Sequence, residues 1–148
     1  MDDAKGSARC QPGPTLLLAD DNLSFLRDLH RVLNREFRIV STVADGRSLL
    51  RQYAMLRPEI VVTDISMPLM DGFEAAAKLR QLGKPKVIFL TVHEEAAFVG
   101  EAKALGATGY VLKRSPPAIL MVVSRKRGVC VRVRQRPNRY RPEVRRGS

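Results

Sequence analysis

Four apolar runs in this sequence end on residues with chemistry to offer. Asp20 and Asp21 follow "TLLLA", Asp64 closes "EIVVTD", Thr91 closes "KVIFLT" and Lys113 closes "TGYVLK". Taken singly, each has an ordinary explanation. An Asp before a helix is a favoured N-cap, a threonine suits a strand, and a lysine after a strand is commonly solvated. Taken together they are three carboxylates, a hydroxyl and an amine. Two carboxylates about 4 Å apart repel by roughly 4 kcal/mol at an effective dielectric near 20. Three in one crevice invite a hard divalent cation, and an open, oxygen-rich site with few protein ligands suits hydrated Mg2+. Lys113 can neutralise part of the charge before any metal arrives. Attack of a carboxylate on phosphorus is an established form of covalent catalysis. A metal bridging Asp64 to the incoming group would screen the repulsion, and Thr91 and Lys113 could hold two phosphoryl oxygens.

That chemistry requires the surrounding elements to bring the five residues together. "TLLLA" (15–19), "RIVSTV" (38–43), "EIVVTD" (59–64), "KVIFLT" (86–91) and "TGYVLK" (108–113) are short and apolar or β-branched, as strands covered on both faces would be. Between them lie helical patterns. Leu26, Leu29, Leu33 and Phe37 recur at helical spacing from Asn22 to Phe37, and Leu49, Leu50, Tyr53 and Leu56 do so over 46–56. Residues 72–82 form a third helix stopped by Gly83, and Glu94 to Leu105 a fourth stopped by Gly106. Strands alternating with helices predict a doubly wound α/β fold with a five-stranded parallel sheet. In such sheets ligands bind outside the carboxyl ends of the strands. All the residues singled out above fall on that edge. The second strand offers only Thr42 there and is expected at the sheet margin.

Composition narrows the rest. The chain has 148 residues and 45% hydrophobic content, enough for one domain with tails. No run approaches the roughly 18 apolar residues of a membrane span, and no secretion signal is evident at the start. Cys10 and Cys130 lie far apart, and His30 and His93 are isolated, so no transition-metal cluster is expected. A reduced, cytoplasmic chain is the simplest reading. The net charge of +11 is unevenly spread. Residues 115–148 carry ten Lys/Arg against Glu143 alone, while residues 1–114 carry sixteen basic and fourteen acidic residues. A nearly neutral domain bears a basic tail.

The motifs "ADDN" (19–22), "TDISMPLMDG" (63–72), "LT" (90–91) and "YVLK" (110–113) resemble the receiver domain of bacterial two-component response regulators. The interval from Thr91 to Lys113 and the aromatic Tyr110 fit that pattern, and the resemblance covers residues 15 to about 115. The wording is closest to regulators that usually carry a LuxR-type helix-turn-helix domain. The resemblance implies the flavodoxin-like strand order 2-1-3-4-5, for which the receiver fold is a standing example. It implies that Asp64 accepts phosphate from a histidine kinase or small phosphodonor, and that Mg2+ is held by Asp20, Asp21, Asp64 and the backbone carbonyl of Ser66. It further implies that Lys113 pairs with the phosphoryl group and that Thr91 and Tyr110 are the switch residues. Dimerisation through the fourth helix and fifth strand is a possible output, and the domain is a phosphoacceptor rather than a conventional enzyme. Pro68 and Gly72 match the loop-shaping positions. Arg114 stands where many members have proline, and His93, two residues after Thr91, is read as surface, with contact to the phosphoryl site as the alternative.

The rival readings are a phosphohydrolase, a nucleic-acid-binding protein and a plain scaffold that never turns over phosphate, the last opposed by the intact five-residue site. A phosphohydrolase of the haloacid-dehalogenase type would also use an Asp after a parallel strand, but its second acid two residues later is replaced by Ser66. A nucleic-acid-binding protein would rest wholly on the tail. The domain division expected is a disordered leader over 1–14, the receiver over 15–115 and an atypical basic tail over 116–148, partly helical and then disordered. "SPPAILMVVS" starts as a helix but has no polar face, and "VCVRVRQR" alternates with period two. The tail cannot form a helix-turn-helix, so DNA output is expected only from a missing domain or from the tail's own charge. A truncated product or reading-frame change near residue 118 is the leading expectation. A basic arm binding nucleic acid is the alternative, and a native stand-alone ending the third.

Overall fold

The computed structural model describes residues 13–114. Five strands alternate with four helices: β1 (Thr15–Ala19), α1 (Leu23–Leu33), β2 (Arg38–Val43), α2 (Gly46–Leu56), β3 (Ile60–Thr63), α3 (Gly72–Leu82), β4 (Lys86–Thr91), α4 (Ala96–Ala104) and β5 (Gly109–Leu112). The strands pair in parallel in the order β2-β1-β3-β4-β5. The expected fold class is therefore the one found. Predictions for the leader and the tail fall on residues 1–12 and 115–148 and lie outside the described residues.

Alternation along each strand divides the core into two layers. Leu16 and Leu18 of β1, Ile60 and Val62 of β3 and Ile88 and Leu90 of β4 face α1, whose Leu26, Leu29 and Leu33 are buried against them. Leu17, Val61, Val87 and Phe89 point the other way, against Leu49 and Tyr53 of α2 and Phe73, Ala76 and Leu79 of α3. Because β1, β3 and β4 are covered on both faces, they read as unbroken apolar runs. β2 lies at the margin and is only half-buried. Fully burying a leucine side chain is worth about 1.5–3 kcal/mol, so the three leucines of α1 alone anchor that helix firmly.

The helices expected over 46–56 and 72–82 are found with those bounds, and the differences lie in α1, α4 and the burial of Leu56. α1 stops at Leu33, and the chain reaches the buried Phe37 through a turn rather than as helix. Leu56 keeps the spacing of α2 but is 42% exposed, because Arg57 turns left-handed directly after it. Glu94 and Glu95 precede α4 instead of opening it.

Candidate functional site

The register of the sheet sets the site. Ala19 of β1 pairs with Thr63 of β3, so Asp20 and Asp64 leave the sheet as neighbours. Their backbones remain tied to the ladder: Asp20 N–H donates to Val43 O at 3.0 Å and Asp64 N–H to Ala19 O at 2.9 Å. On the other side Thr91 pairs with Leu112, and Lys113 N–H donates to Thr91 O at 2.8 Å. Asp20, Asp64 and Thr91 are buried, whereas Asp21 is exposed.

Lys113 joins the acids. Its Nζ lies 2.7 Å from Asp20 Oδ2 and donates to Asp64 Oδ2 at 2.9 Å. The aromatic ring of Phe25 on α1 covers the same amine, 4.8 Å from its centroid. Each acid also takes one backbone donor: Asn22 N–H to Asp20 Oδ1 at 2.9 Å, and Ile65 N–H to Asp64 Oδ1 at 2.7 Å. Burial pushes the Asp20 carboxyl up from its ordinary value; the Lys113 contact and the Asn22 N–H oppose this, and Asp64's charge adds to it. Burial pulls the Lys113 ammonium down, but its bonds to Asp20 and Asp64 outweigh that and hold it above its ordinary value. The lysine is therefore a fixed cation in a site of excess negative charge.

The helix-capping explanation for the acid pair does not hold, because the cap is Asn22. Its side chain accepts from Phe25 N–H at 3.1 Å, leaving Asp20 and Asp21 for other work. Asp20, Asp21 and Asp64 each offer an oxygen, and these atoms lie within 4.8 Å of one another. Asp20 Oδ2 is close to Lys113 yet has no aligned hydrogen bond. A hard-oxygen donor set of two buried acids and an exposed third fits a divalent cation that retains several waters.

The loop after β3 closes in tightly. Gly72 N–H donates to Ile65 O at 2.7 Å. A Cβ at position 72 would stand 2.0 Å from the carbonyl oxygen of Asp64, so only glycine fits. Ser66 and Asp21 share a shallow pocket of about 470 Å³ beside the acids, with Met67, Pro68 and Phe98 on its other walls.

A sequence profile of the response regulator receiver domain matches residues 16–124. The chain belongs to this family. It is 35% identical over 107 residues to a protein-glutamate methylesterase/protein-glutamine glutaminase of Nocardioides sp., covering 69% of this chain and 29% of that protein. It is 31% identical over 101 residues to the transcriptional regulatory protein DegU of Brevibacillus brevis, covering 66% and 43%. Among solved structures, a LuxR-family two-component response regulator from Aurantimonas sp. shares 33% identity at a TM-score of 0.71, over 74% of this chain and 81% of that one. The chain thus spans under half the length of these two curated relatives. It contains a response regulator receiver domain of the two-component type.

Of the site residues singled out from sequence, the fold gathers four into one cluster and places Thr91, Ser66 and Tyr110 around it. Asp20, Asp21, Asp64 and Lys113 form one cluster, Thr91 adjoins Lys113 through the ladder, and Ser66 shares a pocket with Asp21. Tyr110 is half-buried, and its hydroxyl donates to His93 O at 2.7 Å. Burial, then the charges of Glu95 and Asp64, push its phenol up to about 12. Two further residues line the site, one of them unexpected and the other expected at the surface first. Phe25 was read only as part of a helix. His93, read as surface, is half-buried: its Nε2 lies 3.1 Å from Ser66 Oγ, and its N–H donates to Thr91 Oγ1 at 3.2 Å. A loop residue has no periodicity to betray burial, and the only available clue was its place two residues after Thr91. Among the described residues, no helix is long and apolar enough to cross a membrane.

Proposed function

We propose that this receiver is a phosphoacceptor in which Asp64 takes a phosphoryl group from a histidine kinase or a small acyl-phosphate donor. The observation that carries the reading is Lys113 bridging Asp20 and Asp64 at 2.7 and 2.9 Å on the carboxyl edge of the sheet. A carboxylate oxygen of Asp64 attacks phosphorus, the bond from phosphorus to the donor breaks, and the donor leaves with that electron pair. An acyl phosphate remains on Asp64. Lys113 loses its contact with the free Asp64 carboxylate and follows the negative charge onto a phosphoryl oxygen. Thr91, one ladder bond away, offers its hydroxyl hydrogen to another.

Asp20, Asp21, Asp64 and the backbone carbonyl of Ser66 would hold Mg2+. When bound, it supplies charge neutralisation that lets an anionic donor approach an anionic acceptor. Thr91 and Tyr110 act as the switch, since the phosphoryl group favours one arrangement of their side chains over another. The α4–β5 face carries the change to a partner or to a second copy. The domain is a stoichiometric signal carrier in a cytoplasmic setting, not a conventional enzyme.

Incubation with acetyl phosphate and Mg2+ tests this. The expected result is an intact mass heavier by one phosphoryl group, lost in Asp64→Asn. An unchanged mass in folded protein, or equal labelling of Asp64→Asn, would overturn it.

A second reading concerns the tail alone. Ten basic residues against one acid over 115–148 support electrostatic binding of nucleic acid. Binding that weakens steeply with salt and vanishes on deletion of residues 125–148 is the expected outcome, and salt-insensitive binding would count against it.

A further inference from the structure

We propose that His93 is a positioning residue that carries the state of Asp64 to α4 by a route of its own, alongside Thr91 and Tyr110. The inference rests on the reading of Asp64 as phosphoacceptor. It starts from what holds the imidazole. One ring nitrogen, Nε2, lies 3.1 Å from Ser66 Oγ, on the loop that follows Asp64. The face of the ring lies flat on Phe98 in the first turn of α4, with centroids 4.5 Å apart and planes 13° from parallel. Phe98 stacks in turn on Phe73 of α3 at 5.9 Å and 19°. Phe73 meets Phe89 of β4 edge-on at 5.1 Å and 63°. An aromatic column therefore runs from the mouth of the acid site to the buried centre of the sheet, with His93 at its outer end.

The backbone of the same residue is held separately. Its N–H donates to Thr91 Oγ1 and its carbonyl accepts from the Tyr110 hydroxyl. The peptide of His93 thus reports on the two switch residues, while its ring reports on Ser66. A phosphoryl group on Asp64 adds bulk and charge at the start of the loop that carries Ser66. If the loop shifts, the imidazole either loses Ser66 or follows it. A ring packed flat against Phe98 follows only by carrying the first turn of α4 with it. The far end of the column is anchored by Phe73 and Phe89, both buried. The near end belongs to α4, where Ala102 is the one fully buried side chain. The movable end is α4.

Such a relay requires coupling, not mere adjacency. The full chain is treated with fluoroberyllate and Mg2+ as a stable phosphoryl probe, and bound fraction is read by fluorine NMR. Amide hydrogen exchange is then followed over 63–72 and 96–104, compared at equal bound fraction. In the wild type the probe should change exchange over 96–104 by about fivefold, the lower range of ordinary allosteric coupling. His93→Ala and Phe98→Leu should each cut that change to less than about twofold while the response over 63–72 persists. Phe98→Tyr, which preserves the stack, should restore it and shows that the loss is not general loosening. Full α4 responses in both His93→Ala and Phe98→Leu would overturn the relay, as would a silent α4 in probe-bound wild type. If no probe binds the wild type, the acceptor reading itself falls and takes the relay with it.

Discussion

α1, α2 and α3 are built differently from α4. Each of the first three begins on a side chain that accepts a backbone N–H: Asn22 from Phe25, Asp45 from Ser48 at 2.7 Å, and Asp71 from Glu74 at 2.8 Å. Each also buries a stripe of large apolar side chains. α4 begins at Glu95 without a side-chain cap, carries Gly100 in its middle and buries only Ala102 completely. Three helices clamp the loops that hold the acids, and the fourth is left adjustable. Elements that move on ligand binding are drawn from the low-stability end of a structure, and here capping and burial say which end that is.

Two glycines put the contrast to its sharpest test. Gly72→Ala would drive a Cβ to 2.0 Å from the Asp64 carbonyl oxygen. The expected cost is about 3 kcal/mol, read by chemical denaturation, together with lost phosphoryl acceptance; an unchanged midpoint would mean the loop is not clamped. Next in size is Mg2+ binding. At about a hundredfold excess over its Kd it should add about 2.7 kcal/mol to wild-type stability and nothing to Asp21→Asn, with hydrogen-exchange protection in β1 and β3 rather than in α4.

Capping gives a smaller effect with a defined pH dependence. Ser48 N–H holds the Asp45 carboxyl below its ordinary 3.8, so the ionised cap favours the folded state. Asp45→Ala should cost about 1 kcal/mol at neutral pH. That difference should be full above pH 3.8 and close as pH falls through the lowered value. The smallest effect has the opposite sign. A Cβ at Gly100 meets no atom within 4 Å, so Gly100→Ala should stabilise α4 by about 0.8 kcal/mol. Thermal unfolding would show the gain, and slower exchange over 96–104 would place it in α4. A loss of stability would mean that α4 is held by something other than its own propensity.

The sheet was legible because strands covered on two faces leave a continuous apolar signature, and the acids stood out because each followed one of those runs. Strand order was not legible from periodicity and came from the family resemblance. The bounds 46–56 and 72–82 were legible to the residue, while burial near helix ends was not: Leu56 obeyed the spacing but is exposed in the last turn, and Phe37 is buried from a turn rather than a helix. His93 and Phe25 escaped because their roles depend on partners distant in sequence, Ser66 for one and Lys113 for the other. Spacing within a segment carries no information about such pairs.

Lys113 has a consequence for how the chain is made. It lies 49 residues beyond Asp64 and belongs to the end of β5, while Asp20 and Asp64 become neighbours as soon as β1 pairs with β3. A domain of this size folds as a unit, so the step that brings the two acids side by side is also the step that docks β5 beside β4 and delivers their lysine. Completing the sheet and neutralising the acids are one event: a chain cut short of Lys113 would bring Asp20 and Asp64 together without the amine that bridges them.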